Sequence, residues 1–136
     1  MAPIEMMGAI LFPRMSHAGA GDTASFLEIL LMPAPSTIGQ VRDVFPKLGE
    51  LTDKVVFGDV WERPGLSKRD RSLITVAALA ALYRPDQLKG HVWRALDNGV
   101  TRDEIVEVIT HLAFYAGWAN AGTAALIAKQ VFDERK

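Results

Sequence analysis

The chain has no cysteine, and its three histidines, His17, His91 and His111, carry its only imidazoles. Imidazole is the side chain that exchanges a proton near neutral pH, so acid–base chemistry is sought there first. Glu107 stands four residues before His111, the spacing of neighbours on one helical face. Such a carboxylate orients the imidazole, and in a cleft the pair becomes a tuned general acid or base. The stretch "HLAFYAGWAN" follows and brings Phe114, Tyr115 and Trp118. Rings of this size keep water from a pocket and strengthen the charge interactions inside it. Arg63, Arg69, Arg71 and Arg84 flank one strongly apolar run. An arginine fork binds carboxylates bidentately, which makes Arg71, with Arg63 or Arg84, a candidate clamp. Arg71 leads because it stands where the apolar run begins. Each residue also has a plain structural reading. His91 fits a core histidine bonded to one carbonyl, Glu107 a simple helix-surface partner, and the arginines solvated helix ends.

Other chemistries find little support. Without thiols there is no disulfide framework, no thiol nucleophile and no thiolate metal site. Two histidines and Glu107 lack HExxH or ExxH spacing, so no metal is expected. No GxSxG occurs, and Ser67 reads as a helix cap. The glycines of "AGAGD" lack the Lys-Ser/Thr of a phosphate loop. A net charge of −1 gives no footprint for nucleic acid or an anionic membrane. Prolines 3, 13, 33 and 35 break the apolar N-terminal runs, none of which reaches membrane-spanning length. A soluble, cytoplasmic protein is expected, with neither nucleic acid nor membrane as a partner.

The elements that must position these groups follow from periodicity. Residues 1–40 read as an arm that is partly disordered or packed on a partner, with a short helix over Asp22–Met32. Residues 41–136 read as one all-α domain, a bundle of about six helices joined by short loops. A helix begins at Pro46, with Leu48, Leu51, Val55, Val56 and Val60 as its apolar side. The next runs from Ser67, capped with Asp70 in a capping-box-like start, to Leu82. It is apolar on nearly every side beyond Ser72, and so is expected at the centre, buried all round. Pro85 opens a helix with Leu88, His91, Val92, Ala95 and Leu96 inward, which Asn98-Gly99 stops. Thr101 and Glu104 form a capping box for a helix with Ile105, Val108, Ile109, Leu112 and Ala116 inward, interrupted at Gly117. The last runs from about Asn120 to Glu134, with Ala121, Ala124, Ala125, Ala128, Val131 and Phe132 inward.

One helix then has two apolar sides. Glu107, His111, Phe114 and Trp118 recur at i, i+4, i+7 and i+11, away from the Ile105 stripe. Burying Phe114 or Trp118 is worth roughly 2–3 kcal/mol each, so a neighbouring subunit, a ligand cleft or both must cover this side.

The stretches "WERPGLSKRDRSLITVAALAAL" and "QLKGHVWRALDNGVTRDEIVEVITHLAFYAGWANA" resemble the γ-carboxymuconolactone decarboxylase family, which shares its helical fold with the alkylhydroperoxidase D-like proteins. The resemblance runs from about Pro46 to Phe132. The hydroperoxidase branch carries a CxxC ahead of a histidine that matches His91, and a glutamate that falls near Ser72. Those cysteine positions hold Arg84 and Gln87 here, so thiol-dependent peroxide reduction is not expected. The decarboxylase branch implies a cofactor-free carboxy-lyase acting on a small lactone dicarboxylate of aromatic degradation, the β-ketoadipate route. It also implies a homo-oligomer, a trimer or hexamer. In such a protein Arg71, Arg63 or Arg84 would hold carboxylates, and His91 or His111 would give the proton or bond the oxyanion. Glu107 would orient His111, and Phe114, Tyr115 and Trp118 would wall the pocket. Two positions depart from the family: Ala119 replaces the proline of "GWPN", and Gly90 replaces a large residue before the histidine. Both would loosen the pocket, which fits a different small acid or other proton-transfer chemistry. A non-enzymatic oligomeric helical protein is the remaining alternative.

Overall fold

The computed structural model describes residues 36–136. The helix expected over Asp22–Met32 lies outside the described residues, as does most of the arm. A short helix, α1 (Thr37–Gln40), begins at Ser36, whose hydroxyl accepts from the Gly39 N–H at 3.0 Å. Then come α2 (Pro46–Leu51), which runs on as a π-helical turn (Thr52–Phe57), and a 3₁₀ turn (Val60–Glu62). The bundle proper is α3 (Lys68–Ala81), α4 (Pro85–Asp97), α5 (Arg102–Tyr115) and α6 (Trp118–Glu134). Among the described residues every regular element is helical, as the periodicity implies.

Local chemistry sets the boundaries. The Ser67 hydroxyl accepts from the Asp70 N–H at 3.0 Å and starts α3. No reciprocal carboxylate bond is formed there; the Asp70 side chain lies 3.5 Å from Arg69 instead. At α5 the capping box is complete: Thr101 Oγ1 accepts from Glu104 N at 3.2 Å, and Thr101 N donates to Glu104 Oε2 at 2.8 Å. Gly99, at φ 89°, turns the chain out of α4. Gly117, at φ 99°, ends α5 and opens α6. Trp118 is therefore the first residue of α6, two positions earlier than expected for that helix. It does not continue the α5 face, since the left-handed glycine redirects the chain before it.

Helices α3 and α6 touch each other and both remaining helices, while α4 and α5 lie on opposite flanks of that pair. The core comprises Val76 and Ala80 of α3, Leu88, Val92 and Ala95 of α4, Ile105 and Ile109 of α5, four residues of α6, and Val100. Five of its twelve apolar residues are alanines, which lets the helix axes approach closely. Two expectations of burial fail within one chain. Helix α3 is not covered all round: Ser72, Val76 and Ala80 are buried, but Ile74, Ala78 and Leu82 are exposed. The apolar side of residues 46–61 is also exposed at Leu48, Leu51, Val55, Val56 and Val60, because this segment meets the bundle chiefly through the 3₁₀ turn against α3. On α6, Ala125 faces outward where an inward position was expected, one step off the Ala121, Ala124, Ala128 line.

Candidate functional site

His91 sits between Leu88 and Val92 of the α4 core stripe and the solvent side, half-buried at the stripe's edge. Its ring faces Trp61 of the 3₁₀ turn, with centroids 6.3 Å apart. Trp61 in turn meets Phe57 at 5.6 Å. Arg94, three residues after His91 on the same helix, lays its guanidinium over both rings, 4.1 Å from the Phe57 centroid and 5.5 Å from that of Trp61. The Nδ1 of His91 is sealed from solvent and has no hydrogen-bond partner. A histidine kept only for packing normally bonds one carbonyl, and here that bond is missing. Burial first, and then the Arg94 cation, push the His91 pKa below its ordinary value of 6.5. The free imidazole is consequently neutral at pH 7.

Arg71 opens α3, where its Nη2 donates to the Arg63 carbonyl at 2.9 Å. Its Nε is buried without a partner. Arg63 thus contributes its backbone to this contact, while its side chain is exposed. Arg84 acts differently. Its guanidinium donates to the carbonyls of Leu82 and Tyr83 at 2.7 and 3.2 Å, bracing a turn in which Tyr83 holds φ 53°.

His111 lies elsewhere. A groove of about 390 Å³ between α3 and α5 is lined by Leu73, Ile74, Ala77, Glu107, Val108, His111 and Leu112. It brings Glu107 and His111 together, but no hydrogen bond joins them, and His111 instead stacks on Tyr115 at 4.6 Å. Phe114 and Trp118 meet edge-to-face at 5.6 Å across the Gly117 turn. Phe114 and Tyr115 are 77% exposed and Trp118 71%, so within one chain these rings wall nothing. His91 does not line the groove, since its helix is on the other flank of the α3–α6 pair.

Reasoning from sequence missed Phe57, Trp61 and Arg94. The i, i+3 spacing of His91 and Arg94 was a usable signal. The approach of Phe57 and Trp61 depends on an irregular turn and had none. Ser72, near the place of the hydroperoxidase glutamate, is 0% exposed and accepts from Asn98 Nδ2 at 2.8 Å, so it fastens α3 to the end of α4. Among the described residues no group of three His, Asp or Glu is placed to hold a metal ion, and no helix is long and apolar enough to cross a membrane.

Comparison with known proteins matches the same helices. A 4-carboxymuconolactone decarboxylase of Acinetobacter baylyi is 43% identical over 81 residues, 60% of each chain. A nitrosuccinic acid decarboxylase of Metarhizium robertsii is 33% identical over 85 residues, 62% of this chain and 59% of that one. An uncharacterized 15.0 kDa protein of Paracoccus denitrificans is 36% identical over 81 residues. The matched segment spans about three-fifths of the length of each relative. The model of the carboxymuconolactone decarboxylase family matches residues 46–130, from the start of α2 to near the end of α6, and takes in both imidazole sites. On that match, over more than half of its residues, the chain belongs to the carboxymuconolactone decarboxylase family.

Proposed function

We propose that the chain is a cofactor-free decarboxylase of a small lactone carboxylic acid of the 4-carboxymuconolactone type, with His91 at its reactive centre. The observation that carries this reading is the sealed, unbonded Nδ1 of His91 beside a ring wall and a cation. The relative named for that reaction, at 43% identity, supports it. In such a lactone the departing carboxylate sits on a carbon conjugated to the lactone carbonyl. The C–C bond breaks, CO₂ leaves, and the electron pair moves through the double bond onto the carbonyl oxygen. A proton returned to carbon completes the reaction. Arg71, with a free buried Nε, holds a substrate carboxylate. A carboxylate bound beside His91 offsets the burial that keeps it neutral, so the imidazolium forms when substrate is present. That imidazolium donates the proton and recovers it from solvent.

Glu107 and His111 remain the second acid–base candidates, in the α3–α5 groove. Arg63 and Arg84 are placed second to Arg71 because the Arg63 side chain is exposed and Arg84 is committed to backbone carbonyls. The exposed Ile74, Phe114, Tyr115 and Trp118 favour a homo-oligomer, a trimer or hexamer in which a second copy covers them and the rings gain their walling role.

The test is CO₂ release from 4-carboxymuconolactone by the purified chain, repeated with His91→Gln and His111→Gln. Loss of the proton donor lowers turnover roughly 10²–10⁴-fold. Unchanged turnover in both variants overturns the scheme. A second reading, another small acid as substrate, is favoured by the nitrosuccinic acid decarboxylase relative. A nitro group accepts the electron pair as a lactone carbonyl does, so nitrosuccinate is the substrate to offer in parallel.

A further inference from the structure

We propose that Arg94, held over the rings of Phe57 and Trp61 one helical turn beyond His91, binds a carboxylate of the substrate beside the His91 imidazole. The inference rests on the reading of His91 as the reactive centre. Arg94 has an unusual standing among the arginines of the bundle. Arg69 pairs with Glu104, Arg135 with Asp97, and Arg84 with two carbonyls. Among the described residues Arg94 has neither a carboxylate nor a carbonyl partner, only ring faces. A guanidinium lying on a ring is fixed in place while its N–H edges keep their capacity to donate. Fixed, unspent donors in a planar fork suit a carboxylate better than any other small group.

The position also has a chemical logic. A cation three residues from a half-buried histidine works against the imidazolium while the site is empty. A bound anion would turn that opposition into a shared attraction, so the site is completed by a negatively charged guest. A substrate with two carboxylates then offers one to Arg94 and leaves the other for a second cation, the part proposed above for Arg71. Trp61 and Phe57 supply the apolar floor.

The experiment titrates succinate, a non-reacting dicarboxylate, into the full chain by calorimetry, alongside Arg94→Gln, Arg94→Lys and Arg71→Gln, with circular dichroism to verify folding. Wild type should bind succinate. Arg94→Gln should weaken binding tenfold or more, and Arg94→Lys, which keeps the charge but not the fork, should fall between. In turnover, Arg94→Gln should raise KM more than it lowers kcat. Equal succinate affinity in wild type and a folded Arg94→Gln, or no succinate binding by wild type, overturns the proposal. Loss of binding in Arg71→Gln alone assigns the carboxylate to Arg71 and overturns it as well. Succinate binding through Arg94 without lactone decarboxylation removes the proposed function and leaves the subsite standing. Lactone turnover indifferent to Arg94→Gln does the reverse.

Discussion

At the scale of single residues, His91 is, among the described residues, a titratable group shifted by burial before any hydrogen bond. Its folded pKa lies below 6.5, from burial first and Arg94 second. Two consequences follow. The histidine Cε1 proton resonance of His91 should titrate below 6.5, and Arg94→Gln should move that midpoint upward by removing the cation. An unchanged midpoint would show that the two groups do not interact. Because the folded pKa is depressed, the unfolded chain binds the proton more readily. His91 therefore costs stability as pH falls from about 6.5 through its folded pKa, and the effect levels off below that. His91→Gln should flatten this part of the stability–pH curve, measured by urea unfolding between neutral and mildly acidic pH. On the proposed role of His91 as proton donor, the imidazolium of the unliganded chain is lost as pH rises, so kcat/KM should decline from acidic to neutral pH.

At the scale of elements, caps and glycines set where helices start and stop, and two substitutions isolate them. Thr101 closes the capping box of α5 with Glu104, whose carboxylate also pairs with Arg69 of α3. Thr101→Ala should cost about 1 kcal/mol, read as a lower urea midpoint with unchanged slope. Gly90 is the opposite case. It lies inside α4, and an added Cβ would meet nothing within 4 Å. Gly90→Ala should stabilise the fold by roughly 0.5–1 kcal/mol, and a loss of stability would count against its open surroundings. Gly117 permits no such change, since φ 99° and ψ 148° are open to glycine almost alone.

At the scale of the whole molecule, the four-helix arrangement buries a small alanine-rich core and leaves much apolar surface outside. Ile74 at 54% exposure and the three rings at the α5–α6 corner lie on that surface. Covering each large side chain is worth roughly 2–3 kcal/mol, enough together to drive association. Sedimentation should report a trimer or hexamer. Phe114→Glu should shift it toward smaller species while leaving helicity intact, because Phe114 is 77% exposed and its ring partner in the chain, Trp118, is itself exposed. A monomeric wild type would remove the oligomer from the account.

Much of this was legible without coordinates. The all-α class, the α4 stop at Asn98-Gly99, the Thr101–Glu104 box and the place of His91 on the α4 apolar stripe follow from short-range rules: period, caps and left-handed glycines act within a turn or two of chain. The sequence likewise singled out Glu107 and His111 as neighbours on one helical face. Whether they share a pocket with His91 was not decidable from spacing, because α4 and α5 are set on opposite flanks only when α3 and α6 pack between them. The exposure of Ile74 and of the 46–61 segment belongs to the same level, since an apolar face tells that it must be covered but not by which chain. Phe57, Trp61 and Arg94 came together through an irregular π-to-3₁₀ passage with no periodic signature. Local hydrogen bonding wrote the helices into the sequence, and only long-range packing decided which side chains meet.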